Sequence, residues 1–226
     1  DVEESITVLA ERIGRSQIIM LPGGFSAGDE PDGSAKFIAT IFRNPRVKEA
    51  VTEFLDRRDG LMLGICNGFQ ALIKLGLVPY GRIVDELGED DPTLTFNRIG
   101  RHVSCMVRTR VASVLSPWLA NVAAGDVHIV PVSHGEWRFV AAPGIVEKLV
   151  AGGQIATQYV DLDGNPSNDI RFNPNGSVAA VEGITSPDGR ILGKMAHSER
   201  LGPQVAVNIP GNKDQGLFAA GVAYYR

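Results

Sequence analysis

The stretch G-L-M-L-G-I-C-N-G-F-Q-A-L-I-K-L-G-L, Gly60 to Leu77, decides the fold. Leu61 to Ile65 is a short apolar run that reads as a buried strand, and Gly68 to Leu75 reads as a helix. Cys66 falls at the junction, with Gly64 two residues before it and Gly68 two after. This G-x-C-x-G spacing is that of a nucleophile elbow with cysteine in the place of serine. A sharp strand-to-helix turn lifts the side chain clear of the sheet, and small neighbours let the flanking backbones approach closely. The helix N-terminus is expected to lower the thiol pKa and to leave amide N–H groups free for an oxyanion. A strand-end cysteine without that setting is ordinarily core. The two glycines turn the reading toward a nucleophile.

Outward from the elbow, strands and helices alternate. Val2, Ile6, Leu9 and Ile13 recur at helical spacing, and the helix stops near Gly14. Gln17 to Leu21 is a short strand running into the glycine-rich loop Pro22 to Ser34, at the strand end where parallel α/β sheets build sites. A helix follows over Ala35 to Arg43. Asn44 and Pro45 then supply an N-cap and an N1 proline for a helix to about Arg58. This alternation predicts an α/β fold with a parallel, doubly wound sheet. Further on, Val103, Cys105 and Val107 alternate with polar residues, and Val127 to Val132 and Ile155 to Val160 read as strands. Pro143 to Ala151 reads as a helix. Val178 to Ile184 and Arg190 to Met195 flank a hairpin turn, S-P-D-G, and a last helix is expected over Asp214 to Tyr225.

The chain has 226 residues, 44% hydrophobic and 21% charged, enough for a sizeable core. A net charge of −4 argues against nucleic acid as the main partner. No run is long enough to span a membrane, and no signal peptide is visible. Two distant cysteines, Cys66 and Cys105, give neither a disulfide framework nor a CxxC zinc site, which fits a reducing, cytoplasmic setting. The chain opens at Asp1 in a helical pattern without an initiator methionine, as a piece of something longer would.

A cysteine nucleophile needs a base, and the base an orienting group. Among four histidines, His102 and His128 lie within strand patterns and read as packed or surface residues. His134 and His197 each follow an apolar strand and each begin a His-x-Glu triplet, with Glu136 and Glu199. Residues i and i+2 of an extended segment point the same way, so either glutamate could hold its ring, and periodicity does not choose. Zinc deaminases also use His-x-Glu, but they require a downstream P-C-x-x-C that is absent, so no metal site is expected. Asp161 to Asn165 reads as a plain turn, Asp85 to Asp91 as a solvated acidic loop, and Gly23-Gly24 lacks the ending of a P-loop.

Six stretches together resemble the class I (triad) glutamine amidotransferases, and among them the glutaminase domains of phosphoribosylformylglycinamidine synthases. They are L-P-G-G-F-S-A-G-D (Leu21 to Asp29), L-G-I-C-N-G-F-Q (Leu63 to Gln70), V-S-H-G-E (Val132 to Glu136), Q-Y-V-D-L-D-G-N-P (Gln158 to Pro166), N-P-N-G-S (Asn173 to Ser177) and A-H-S-E-R (Ala196 to Arg200). The elbow and the G-G loop are general to the class; the F-S-x-G-D, N-P-N-G-S and H-x-E-R segments are the synthase's own. The resemblance implies a flavodoxin-like fold with a central, mostly parallel sheet flanked by helices. It implies that residues 1–226 form one glutaminase domain, the C-terminal part of a longer synthase, without the N-terminal strand usual in the family.

The resemblance also implies roles. Cys66 is the nucleophile, His197 the base and Glu199 its orienter. The N–H groups of Gly24 and Asn67 form the oxyanion hole. Gly23, Phe25, Gln70, Ser133 and His134 surround the glutamine substrate. The implied activity is hydrolysis of glutamine to glutamate and ammonia, with no cofactor in this domain. A synthetase domain or subunit, with ATP and Mg2+, would use the ammonia to convert formylglycinamide ribonucleotide to the amidine. Two departures stand out: Ser198 where many relatives read H-P-E-R, and Trp137 where many read H-G-E-G. The alternatives are another cysteine hydrolase of related fold, such as a peptidase-like member, and a non-catalytic docking module.

Overall fold

The computed structural model describes residues 1–24 and 35–226. The first helix, α1 (Val2–Arg15), starts at Asp1, whose carboxylate accepts from the Glu3 N–H at 3.0 Å. Its apolar stripe ends on Ile13, which is buried. Next come β1 (Ile18–Leu21) and α2 (Lys36–Arg43), then α3 (Pro45–Asp56), capped by the Asn44 side chain on the Arg46 N–H as the Asn-Pro pair predicts. β2 (Leu61–Ile65) is buried at every position, and α4 (Asn67–Leu75) follows Cys66 directly. Gly76, at φ 75°, ends α4 and opens a single turn, α5 (Leu77–Tyr80).

The remaining elements are β3 (Thr93–Phe96), β4 (Val103–Val111), β5 (Val127–His134), β6 (Glu136–Val140), α6 (Pro143–Ala151), β7 (Ile155–Tyr159), β8 (Val181–Thr185), β9 (Ile191–Lys194) and α7 (Leu217–Ala223). β3 and β6 form a two-stranded antiparallel sheet that strand periodicity did not reveal. The expected strand from Val178 begins instead as a 3₁₀ turn, Val178–Ala180, because Ala179 and Ala180 take positive φ. The expected helix from Asp214 begins only at Leu217. The Asp214 carboxylate accepts from the Gly216 N–H, and Gly216 sits in the left-handed region at φ 63°.

Among the described residues the main sheet has seven strands in the order β1-β2-β9-β8-β7-β4-β5. β1, β2 and β9 are mutually parallel, and each later neighbour is antiparallel to the one before. Five strands therefore run in one direction, with β8 and β4 opposed. The sheet is mixed, and its parallel part is the part that carries Cys66. The main core includes Phe54, Phe69, Leu72 and Trp118, all essentially inaccessible. Trp118 Nε1 donates to the carbonyls of Met62 at 3.1 Å and Arg190 at 3.3 Å, tying the turn between β4 and β5 to β2 and the start of β9.

Close packing fixes the elbow. A Cβ on Gly68 would fall 1.9 Å from the carbonyl oxygen of Leu21, and one on Gly64 would fall 2.5 Å from Leu72 Cδ1 and 2.8 Å from the Gly68 carbonyl oxygen. By contrast, Gly14 in α1 has nothing within 4 Å. Gly68→Ala is therefore expected to destabilise the fold by at least the ~3 kcal/mol that marks severe overpacking. Gly14→Ala is expected to stabilise it by ~0.5–1 kcal/mol through helix propensity. Urea unfolding of the two variants beside the parent checks both signs.

Candidate active site

Cys66 links β2 to α4 with φ 61° and ψ −112°, a conformation that costs an L-residue on the order of 1–3 kcal/mol. Two hydrogen bonds hold it there. Its N–H donates to the Lys194 carbonyl at the end of β9, and its carbonyl accepts from the Gln70 N–H. The thiol is 2% exposed and faces the backbone N–H groups of Gly24 and Asn67. Burial pushes the thiol pKa up to about 12, while those two N–H groups pull it down without prevailing. The expectation of an acidic thiol at the helix N-terminus is thus corrected: removal from water outweighs the helix end.

The two His-x-Glu triplets separate here. His197 lies just beyond β9, anchored by its N–H on the Pro131 carbonyl at 2.9 Å. Its Nδ1 is 2.5 Å from Glu199 Oε1, and its Nε2 has no partner among the described residues. Burial raises the Glu199 carboxyl, but the His197 hydrogen bond, a backbone N–H and Arg200 together bring it below the usual carboxylate range. A carbon placed on Gly23 would meet His197 Cε1 at 2.8 Å and Cys66 Sγ at 3.1 Å. Ring and thiol therefore close on the same point, and only a glycine leaves that point open.

His134, at the end of β5, is fully buried and has a different partner. Its Nδ1 lies 3.2 Å from Asn97 Oδ1, while Asn97 Nδ2 donates to the carbonyls of Arg101 and His134. The amide orientation makes Nδ1 the donor and leaves Nε2 a buried acceptor without a partner among the described residues. Burial, and the neighbouring His102, bring the His134 pKa down to about 4. Gln70 Oε1, on the first turn of α4, is a second buried acceptor without such a partner. Strand alternation turns Ser133 to the other face from His134, where its hydroxyl meets His102 Nε2 at 3.1 Å. Phe25, together with the rest of the F-S-A-G-D stretch, lies outside the described residues.

Trp137 is the extra residue of a bulge in β6, between the pairs Thr95–Arg138 and Phe96–Glu136. Its φ of 153° lies in the region that glycine favours. The bulge buries the indole against His134, with ring centroids 5.2 Å apart. The N-P-N-G-S loop supports this strand from behind. Asn175 Nδ2 donates to the Trp137 carbonyl and the Tyr159 hydroxyl, and Ser177 Oγ accepts from the Phe139 N–H. Asn97 carries no sequence signal, since its role comes only from pairing with His134. Among the described residues no group of three or more His, Cys, Asp or Glu side chains is placed to hold a metal ion.

Three comparisons bear on this arrangement. A family described as CobB/CobQ-like glutamine amidotransferase domain matches residues 3–225. The phosphoribosylformylglycinamidine synthase subunit PurQ of Chlorobium chlorochromatii is 34% identical over 196 residues, covering 87% of this chain and 75% of the relative. That of Synechococcus elongatus is 35% identical over 203 residues, covering 89% and 77%. Among solved structures, PurLQS from Thermotoga maritima superposes with a TM-score of 0.67 at 24% identity, covering 93% of this chain and 80% of that one. The glutaminase domain of Trypanosoma brucei CTPS, with bound acivicin, superposes with a TM-score of 0.51 at 15% identity, covering 98% and 75%. Both structural likenesses concern the fold.

The buried neutral His134 has a measurable consequence. Unfolded, it binds a proton near the ordinary 6.5; folded, it resists until about 4. The unfolded state therefore gains protons first, and stability falls as pH drops through that window. The parent is expected to lose about 3 kcal/mol more than His134→Gln between pH 7 and pH 4. Equal losses in urea unfolding would contradict it.

Proposed function

The chain belongs to the CobB/CobQ-like glutamine amidotransferase family, and on that premise we propose that it is the glutaminase component of a phosphoribosylformylglycinamidine synthase. It hydrolyses glutamine to glutamate and ammonia. A synthetase partner, domain or subunit, uses the ammonia with ATP and Mg2+ to convert formylglycinamide ribonucleotide to the amidine. The names of the relatives support the overall reaction. The observation that carries the chemistry is the convergence of Cys66, the Gly24 and Asn67 N–H groups and the His197–Glu199 pair on the open point at Gly23.

Each group has a step. The Cys66 thiol is protonated at rest, so His197 Nε2 takes its proton as the sulfur attacks the side-chain amide carbon of glutamine. Glu199 holds the ring by its Nδ1–H and stabilises the imidazolium. The amide oxygen becomes an oxyanion against the N–H groups of Gly24 and Asn67, where one such donor is typically worth on the order of 10²–10³ in rate. His197 then protonates the departing nitrogen, ammonia leaves, and a γ-glutamyl thioester remains. Water, deprotonated by His197, attacks the thioester; glutamate leaves and the thiol recovers its proton. The buried acceptors Gln70 Oε1 and His134 Nε2 suit the α-ammonium group of the amino acid, whereas Ser133, turned to the opposite face toward His102, is not placed to join them. No cofactor enters these steps.

The setting is cytoplasmic, as for soluble nucleotide synthesis. No helix among the described residues is long and apolar enough to cross a membrane. The peptidase-like and docking alternatives gain no observation of their own. In the enzyme assembled with its synthetase, Cys66→Ala is expected to lower glutamine-dependent turnover by about 10³-fold or more, leaving ammonia-dependent synthesis intact. Gly23→Ala, which wedges a methyl group between thiol and ring, is expected to cost about 10²-fold by the same assay. Glutamine turnover retained by Cys66→Ala would overturn the reading, and failure of diazo-oxonorleucine to label Cys66 would favour a peptidase.

A further inference from the structure

Directly behind His197 lies a buried ion pair that the steps above do not use. Glu182 on β8 and Lys194 on β9 both have fully inaccessible side chains, with Nζ 3.3 Å from Oε1. Withdrawing two such charges from water is costly, and an apolar pair of similar volume often serves stability as well or better. Stability is therefore a poor account of the pair. Its hydrogen bonds give a better one.

Glu182 Oε1 accepts from the Ala196 N–H at 2.7 Å, and Oε2 accepts from the Thr157 hydroxyl. Lys194 Nζ donates to Ser198 Oγ at 2.7 Å and to the Ala196 carbonyl at 3.4 Å. The Ser198 hydroxyl donates onward to Gln215 Oε1 at 2.6 Å, on the segment that leads into α7. Lys194 Nζ thus makes two hydrogen bonds, to Ser198 and Ala196, beside its ion pair with Glu182. The residues held are the two neighbours of His197: Ala196 by its backbone and Ser198 by its side chain. The Lys194 carbonyl meanwhile accepts from the Cys66 N–H. One lysine thus touches the supports of both thiol and base.

We propose that the Glu182–Lys194–Ser198–Gln215 chain is a positioning device that fixes the His197 ring against Cys66, with Ser198, next to His197, its positioning residue. A proline at that place would limit φ by its closed ring and stiffen the turn. Serine leaves φ free, and the hydroxyl tether supplies the missing restraint. The proposal rests on the glutaminase reading and deepens it.

The test uses the enzyme assembled with its synthetase. Ser198→Ala is expected to lower the glutamine-dependent kcat about tenfold through loosened geometry, with KM for glutamine and ammonia-dependent synthesis unchanged. The rate of Cys66 alkylation by iodoacetamide across pH 6–9 should fall about threefold, because the ring no longer stands ready to take the thiol proton. The double variant Glu182→Leu with Lys194→Met removes both charges together, and should show the same kcat loss without a fall in Tm. A parental kcat and alkylation profile in Ser198→Ala overturns the proposal, as does a change in KM alone. A kcat loss in the double variant that merely follows a fall in Tm overturns it too. These outcomes are independent of Cys66→Ala, whose retained turnover would overturn the glutaminase reading itself.

Discussion

The site depends on one constraint: Cys66 must hold a left-handed backbone while β1, β2 and α4 press together around it. A φ of 61° with ψ −112° does not persist in an L-residue unless its surroundings overdetermine it. The surroundings do so by backbone contact. Gly68 lies against the Leu21 carbonyl so closely that no side chain fits, and the Cys66 N–H is spent on the Lys194 carbonyl of the opposite neighbouring strand. The thiol is thus fixed by β1 on one side and β9 on the other. β1 runs directly into Gly23 and Gly24, and β9 runs directly into His197. The parallel register that strains Cys66 also brings the Gly24 N–H and the His197 ring up to it.

Burial then sets the protonation states. The same exclusion of water that raises the thiol to about 12 lowers His134 to about 4, and both effects favour neutral groups. Glu199 escapes because it has specific partners: His197, a backbone N–H and Arg200 together outweigh its partial burial. The resting centre therefore holds a thiol, a neutral histidine at 134 and one paired carboxylate. Under the proposed mechanism such a thiol gains nucleophilicity only as its proton moves to an adjacent base, which would make the position of His197 matter more than any intrinsic acidity of Cys66.

The first third of the chain was legible because each signal there is local. A fully apolar five-residue run, an Asn-Pro cap and a helical stripe gave β2, α3 and α1 within a residue or two. Later elements depend on distant pairing. Thr93–Phe96 is four partly exposed residues whose strand character comes from β6, and α7 starts late because Asp214 turns its carboxylate onto the backbone of Gly216. The thiol shift is hidden from the sequence for a related reason. A helix N-terminus can be seen in sequence, but the depth of water exclusion around it is a property of the assembled core.

The two His-x-Glu triplets show why a motif does not determine a role. Both follow apolar strands, and their spacing is identical. After β9 the chain leaves the sheet, so Glu199 can fold back onto His197 Nδ1. At 134–136 the chain continues from β5 into β6 through Gly135, and the bulge at Trp137 fixes the strand that carries Glu136. His134 is then left to a neutral amide, Asn97, which orients the ring without stabilising its charge. A carboxylate partner favours an imidazolium, whereas an amide partner in a buried pocket favours a neutral acceptor. One triplet is therefore suited to moving a proton and the other to receiving a hydrogen bond. The difference lies in whether the sheet ends or continues after the histidine.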